Sequence, residues 1–163
     1  MPASHPAGTM GDSDTIAEET DRIVEEFSLF DDWTGRYEYL VDLGRALPPL
    51  EEAYRDEAHR VQGCQSRVWF HAWRDGGRIH FVADSDALIV KGLIALLLRV
   101  YSGRAPAEIL ATPPDFLARI ELGSHLTGSR ANGLHAMIRR IKAYAEAFAG
   151  HADQAVVDPA TLH

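Results

Sequence analysis

The chain contains 163 residues, of which 46% are hydrophobic and 25% are charged, proportions that are typical of one globular domain. Its 16 basic and 24 acidic residues give a formal net charge of -8 at pH 7, which disfavours binding to nucleic acid or to an anionic membrane surface. The longest apolar run, 93–98, is far shorter than the roughly 20 residues that span a bilayer, and no secretion signal is recognisable. We therefore expect a cytoplasmic protein whose thiol stays reduced.

The N-terminal part of the chain is expected to contain a leader and two helices. Residues 1–13 lack apolar periodicity and contain prolines and glycines, so they are expected to be disordered, and Met10 is an alternative start. Apolar residues at helical spacing predict a helix over 15–27, whose first residue caps it. A second helix is predicted to begin after Asp32 and to end before Pro48.

Strand-forming residues predict an antiparallel hairpin in the middle of the chain. Residues 66–73 are rich in Val, Trp and Phe and alternate between two faces. Residues 78–83 are the predicted returning strand, after the Asp-Gly-Gly turn at 75–77. A short third strand is predicted at 59–62, which would place the residues after it at the tip of a tight connection.

The second half of the chain is predicted to be mainly helical. Ser85 or Asp86 is expected to cap a long apolar helix in the centre of the core. Two short helices follow, and the last long helix is predicted to begin after Thr127. We therefore expect residues 14–149 to form a single domain and residues 150–163 to form a flexible tail.

Cys64 is the only cysteine in the chain, so it has no partner for an internal disulfide and supplies at most one ligand of a zinc site. Gly63 can adopt a positive φ and leaves the next side chain uncovered. The neighbours Arg60, Arg67 and His59 would favour a thiolate if they faced the sulfur. A buried, inert thiol and a nucleophile both remain open, and the context favours a nucleophile that exchanges sulfur.

Two further polar residues lie at predicted helix starts. Asp86 most simply caps a helix, although its carboxylate is also available to contact a partner. Arg130 lies in the first turn of the last helix, where a cation opposes the helix dipole. It is therefore expected either to have a specific anionic partner, such as the sulfur of Cys64, or to be exposed to solvent.

Four ordered blocks of residues identify a resemblance to a known family. The blocks are Trp33 to Tyr37 with Leu43-Gly44 and Leu47-Pro48; Gly63-Cys64-Gln65-Ser66-Arg67-Val68-Trp69; Asp84-Ser85-Asp86 with Ile89-Val90-Lys91-Gly92-Leu93; and His125-Leu126-Thr127-Gly128-Ser129-Arg130 with Gly133-Leu134 and Met137-Ile138. Over roughly residues 20–148 the chain resembles the SufE family, which accepts sulfur from cysteine desulfurases during iron-sulfur cluster assembly. It departs from the family at Gly128, where Pro is usual, and at Asp115, where Trp is frequent.

The resemblance implies an α+β fold, in which several helices pack on one side of a small curved antiparallel sheet of about three strands. The iron-sulfur scaffold proteins of the same pathway share this general architecture. The implied partners are a cysteine desulfurase, which carries pyridoxal phosphate, and a downstream iron-sulfur scaffold. For this chain itself we expect no cofactor, no metal and a monomeric state.

The resemblance also implies roles for individual residues. Cys64 would accept sulfur as a persulfide, and Arg130 would stabilise the sulfur anion. The residues expected to contact the partner are Gly63, Gln65, Ser66 and Asp86. We expect the sulfur to be sheltered until docking, because an exposed persulfide is lost to any thiol; Gly63 would be the hinge and aromatic residues of the adjoining strand the cover.

Whether the chain counts as an enzyme is left open, since a transpersulfidation partner forms a covalent cysteine persulfide without being a desulfurase itself. One alternative is a cluster or metal scaffold, although such scaffolds normally use several cysteines. Another is a binding module that activates a partner enzyme without carrying sulfur. A thiol peroxidase is a weaker alternative, because it needs an open sulfur with a low pKa.

Overall fold

The computed structural model describes residues 15–122 and 125–162. The expected leader, 1–13, and the alternative start at Met10 lie outside the described residues. The described residues form an α+β fold, as predicted. Its elements in chain order are α1 (Ile16–Ser28), α2 (Trp33–Arg45), a 3-10 turn (Glu52–Tyr54), β1 (Val68–Asp75), β2 (Arg78–Ser85), α3 (Leu88–Tyr101), α4 (Pro106–Ala111), α5 (Phe116–Arg119), α6 (Gly128–Gly150) and a second 3-10 turn (Pro159–Thr161).

The first two helices begin where the sequence predicts, because a side chain caps each of them. The hydroxyl of Thr15 accepts a hydrogen bond from the backbone N–H of Glu18 at 3.1 Å. The carboxylate of Asp32 accepts one from the N–H of Gly35 at 2.8 Å. Each bond satisfies an N–H group that has no acceptor within its own helix.

β1 and β2 form the predicted antiparallel hairpin, with Val68 opposite Ser85 at its open end. The expected third strand is reduced to a single bridge between Arg60 and Trp69, so the sheet formed by the described residues has two strands rather than about three. The pairing ends there because the chain turns at Gly63, whose φ of +91° is a conformation that favours glycine.

α3 lies in the centre of the core, as its apolar sequence predicts, and packs against α1, α2, β2 and α6. α2 approaches it so closely that glycine is needed on both helices. A Cβ on Gly44 would lie 2.7 Å from the backbone nitrogen of Gly92, and a Cβ on Gly92 would overlap the carbonyl oxygen of Leu40. Among the helices described, none is both long and apolar enough to cross a membrane.

The face of β1 that points away from the helices is covered by the segment that precedes the hairpin. Leu50 and Tyr54 pack there against Trp69. The ring of His71 stacks on that of Tyr54, with 3.8 Å between their centroids. Both faces of the small sheet are therefore buried, one by helices and the other by this segment.

Residues 151–162 make defined contacts with the domain, although they were expected to form a flexible tail. The guanidinium group of Arg140 donates to the carbonyl oxygens of Leu162 and Pro159, at 2.5 and 3.2 Å. Arg74 donates to the carbonyl oxygen of His151 at 2.8 Å, and the Leu162 side chain is buried. The sequence does not predict these contacts, because most of their acceptors are backbone carbonyl groups, which leave no pattern of apolar side chains.

Candidate functional site

The cysteine loop, residues 62–67, leads into β1 and packs against α6. Gly63 makes its turn, and a Cβ on this residue would lie 3.4 Å from the Cβ of Ala136 on the helix. The loop backbone thus lies directly on the surface of α6. This contact determines where the next side chain, that of Cys64, is placed.

The Cys64 side chain is half-buried, and its thiol lies against the backbone of α6. Sγ donates a hydrogen bond to the carbonyl oxygen of Gly133 at 3.6 Å. A Cβ on Gly133 would also lie 3.6 Å from Sγ, so the missing side chain leaves the sulfur direct access to the helix backbone. We call this placement of Sγ over Gly133 its resting position.

Burial and charge act in opposite directions on the Cys64 thiol. Burial raises the pKa of the thiol, because the low-polarity surroundings disfavour the thiolate. The guanidinium groups of Arg139 and Arg60 lower the pKa, but they do not cancel the effect of burial. At neutral pH the resting sulfur is therefore mainly the protonated thiol.

A cavity of about 250 Å³ opens beside the Cys64 sulfur. Its volume exceeds that of one sulfur atom several times over. Its inner part is apolar, and polar residues from the loop and from the start of α6 surround it. The lining residues are Cys64, Gln65, Ser66, Val68, Val90, Leu93, Thr127, Ser129, Arg130, Gly133 and Met137.

Arg130 lines this cavity, which brings it to the same site as Cys64. Thr127 caps α6 as predicted, since its hydroxyl accepts a hydrogen bond from the N–H of Arg130 at 3.4 Å. Arg130 is exposed, and it has no ion pair with a carboxylate among the residues that the structure describes. Its role toward the sulfur anion stays a prediction.

Asp86 is bound to the cysteine loop instead of capping a helix. Its carboxylate accepts hydrogen bonds from the backbone N–H of Arg67 at 3.0 Å and from Nε of the same residue at 3.3 Å. The predicted cap at Ser85 or Asp86 is therefore wrong: α3 is preceded by Ala87, which has no capping side chain. Asp86 fixes the end of the loop, and 44% of its side chain remains accessible to a partner.

Of the three charged residues near Cys64 in the sequence, Arg67 and His59 have other partners than the sulfur. Arg67 is held by Asp86, as described above, and lies over the ring of Trp69. Nδ1 of His59 lies 2.6 Å from Oδ1 of Asp56, and its Nε2 lies 3.2 Å from Nδ1 of His71. Only Arg60 acts on the thiol as the sequence suggested.

The prediction that aromatic residues of the adjoining strand cover the sulfur is also wrong. Trp69 of the adjoining strand packs on the far face of the sheet, whereas Val68 lines the cavity. The shelter comes from α6, through Gly133 beneath the sulfur and Ala136 beneath the loop. One signal in the sequence is the three-residue spacing of Arg130, Gly133 and Ala136, which makes them neighbours along one ridge of the helix.

Metal-binding groups are not assembled around the thiol. Within residues 15–122 and 125–162, no three His, Cys, Asp or Glu side chains are grouped so that they could hold a metal ion. The chemistry that the site offers is that of one sheltered thiol beside arginine cations and a small cavity.

Comparison with known proteins places this chain in a family. Residues 21–145 match the family described as "SufE: Fe-S metabolism associated domain". An uncharacterized SufE-like protein of Rhizobium meliloti (strain 1021) is 43% identical over 131 residues, which are 77% of this chain and 94% of that protein. An uncharacterized SufE-like protein of Rhizobium etli is 40% identical over 127 residues, which are 75% of this chain and 86% of the relative.

A solved structure supports the fold. The solution structure of a hypothetical protein from Thermus thermophilus matches 81% of this chain and 96% of its own, with 25% identity and a TM-score of 0.68. The family match spans the cysteine loop, α3 and α6 as far as residue 145, and these elements together build the cavity. By its sequence and its fold, the chain belongs to the SufE family and is thereby linked to iron-sulfur metabolism.

Proposed function

We propose that this protein is a cytoplasmic sulfur acceptor and carrier for iron-sulfur cluster assembly. Cys64 takes sulfur from the persulfide of a cysteine desulfurase, stimulates that enzyme by relieving it of sulfur, and passes the sulfur to a cluster scaffold. The observation that carries this proposal is the Cys64 thiol in its resting position over Gly133, beside a cavity with room for a second sulfur.

The transfer needs no oxidant or reductant. The Cys64 thiol loses its proton, and the thiolate attacks the outer sulfur of the donor persulfide. A new S–S bond forms at Cys64 while the S–S bond of the donor breaks, and the donor cysteine leaves as a thiolate that takes up a proton. The pyridoxal phosphate that releases sulfur from free cysteine belongs to the desulfurase.

The partly buried resting position suits a carrier. A persulfide open to solvent would be consumed by other cellular thiols, whereas one that faces the cavity is protected. The raised pKa of the Cys64 thiol keeps the free protein mostly in its unreactive form. Docking would then lift the loop from α6, with Gly63 as the hinge, and bring the sulfur to the donor.

The surroundings of the cavity provide a docking surface for the desulfurase. Gln65 and Arg130 are exposed there, Ser66 is partly exposed, and the Asp86 carboxylate borders the loop. Because these groups surround the sulfur, a partner that binds them would reach it directly. We propose that the protein docks as a monomer.

The proposed function is tested by measuring how fast a cysteine desulfurase that copurifies with the protein forms alanine from free cysteine. The parent protein should stimulate turnover, whereas Cys64→Ser should not, because the serine hydroxyl cannot hold the sulfur. Equal stimulation by Cys64→Ser would contradict the acceptor role and support a binding module. Stoichiometric iron in anaerobically purified protein would instead support a scaffold.

A further inference from the structure

One row of residues on α6 faces the cysteine loop at every third position. Arg130 lines the cavity, Gly133 lies against the sulfur, and Ala136 lies against Gly63. Residues three apart are neighbours along a ridge that is inclined to the helix axis, so Arg139 continues the row on the side away from the cavity. The loop therefore rests on two small residues that have an arginine at either end.

Arg139 is the arginine next to the turn of the loop. Its Nη2 lies 3.8 Å from the position that a Cβ on Gly63 would occupy. Among the described residues, Arg139 has no ion pair with a carboxylate, whereas Arg60 lies 3.7 Å from Glu57. The positive charge of Arg139 is thus less neutralised by carboxylates than that of Arg60. The Arg139 guanidinium group also lies beside Gly63, the residue that precedes Cys64.

We propose that Arg139, assisted by Arg60, stabilises the anionic form of the Cys64 sulfur while the loop is in its resting position. Of the surrounding elements, α6 supplies Arg130 and Arg139, the segment before the loop supplies Arg60, and α3 and β1 supply only apolar side chains to the lining. Both Arg139 and Arg60 act to lower the pKa of the thiol, with Arg139 the stronger of the two.

The two arginines at the ends of the row then have different roles. Arg139 acts on the sulfur at rest, and Arg130 faces the cavity where a partner would enter. Lifting the loop from α6 takes the sulfur away from Arg139, so the resting charge balance is lost on docking. The inference rests on the proposed function only in taking Cys64 as the reacting sulfur.

The test measures the rate at which iodoacetamide alkylates Cys64 in the free protein as a function of pH, with no desulfurase present. In Arg139→Gln the rate near neutral pH should fall roughly threefold, since a nearby positive charge that favours the thiolate is removed. The midpoint, which is the pH at which the alkylation rate reaches half of its maximum, should move to a higher value. The maximal rate at high pH should be the same as in the parent. Arg60→Gln should show a smaller shift in the same direction.

Two further variants separate charge from structure. Arg139→Lys retains the cation and should restore the midpoint toward that of the parent. Arg130→Gln removes the same charge from the other end of the row and should shift the midpoint of the free protein less than Arg139→Gln does. An unchanged midpoint in Arg139→Gln, an equal shift in Arg130→Gln, or a rate reduced by one factor at every pH would overturn the proposal.

The outcome is independent of the sulfur-acceptor test. A shifted midpoint in a protein that accepts no sulfur would contradict the proposed function and leave the role of Arg139 intact. Sulfur acceptance with an unshifted midpoint in Arg139→Gln would support the proposed function and contradict the role of Arg139. If Arg139→Gln does not fold, Arg60→Gln and Arg139→Lys still decide the question, because the first must raise the midpoint and the second must preserve it.

Discussion

Glycine mediates two close contacts in this protein, and the two contacts are built differently. Between α2 and α3 the backbones meet at Gly44 and Gly92, where any added Cβ would overlap backbone atoms. Between the cysteine loop and α6, Gly63 lies against the Ala136 side chain and Gly133 lies against the Cys64 sulfur. An added Cβ would be 3.4 Å from the Ala136 Cβ in the first case and 3.6 Å from the sulfur in the second, both ordinary contact distances.

The difference separates the parts of the molecule that are fixed from the part that can move. The α2–α3 contact leaves no free space, so its two helices have one way to pack. The loop–α6 contact is close without interlocking, and it borders a cavity. The first contact supports the central helix of the core, whereas the second holds a thiol that we propose is released on docking.

Gly92→Ala tests the tight contact and should have the largest effect on stability. The new methyl group would overlap the carbonyl oxygen of Leu40, so α2 and α3 must separate. We expect the free energy of unfolding to fall by about 3 kcal/mol, the upper part of the usual range for overpacking. Chemical denaturation followed by circular dichroism measures this loss.

Gly150→Ala is the matched control, because a Cβ at this last residue of α6 meets nothing within 4 Å. Its stability should stay within roughly 0.5 kcal/mol of the parent, as for most surface substitutions. If Gly92→Ala were as stable as Gly150→Ala, the α2–α3 contact would not be the rigid one.

Gly63→Ala tests the turn of the loop and should have an intermediate effect. Space is available for the methyl group, but the φ of +91° is unfavourable for alanine and costs about 1 to 2 kcal/mol. The loop should relieve this strain by leaving α6, so Cys64 should be alkylated faster than in the parent. Gly63→Asn should change less, because asparagine tolerates positive φ better. Slower alkylation in Gly63→Ala would contradict the hinge.

Gly133→Ala tests the resting position and should have the smallest effect on stability. Alanine favours a helix over glycine by up to about 1 kcal/mol, so the variant should be as stable as the parent or more so. Its methyl group would lie 3.6 Å from the Cys64 sulfur and occupy space that a persulfide needs. Sulfur acceptance, followed by mass spectrometry, should therefore slow severalfold.

Gly128→Ala provides the control for this separation of stability from function. It lies on the same helix, and its Cβ would meet nothing within 4 Å. Its rate of sulfur acceptance should equal that of the parent. Equal rates in Gly133→Ala and the parent would mean that the space over α6 is not used.

Features that depend on neighbouring residues could be predicted from the sequence. Caps at Thr15, Asp32 and Thr127 were correct, because each bonds an N–H group three residues away. The hairpin was predicted correctly for the same reason, since its turn residues stand between its strands. The role of Cys64, inferred from its uniqueness and from the family resemblance, stays a prediction.

Features that depend on distant parts of the chain could not be predicted. The sequence predicts a helix cap at Asp86, because it does not reveal that Arg67 lies within hydrogen-bonding distance. The parts played by Gly133 and Arg139 follow from the register of α6 against the loop, about 70 residues earlier in the chain. Helix spacing places these two residues along one inclined ridge of α6 but does not say what that ridge contacts.

The central claim is that Cys64 itself holds the transferred sulfur, and the intact mass of the protein tests it most directly. After incubation with a cysteine desulfurase and free cysteine, the parent should gain the mass of one sulfur atom, and a reducing agent should remove it. Cys64→Ser should gain nothing. A parent that gains no mass while the desulfurase is active, or a Cys64→Ser variant that gains as much, would contradict the account.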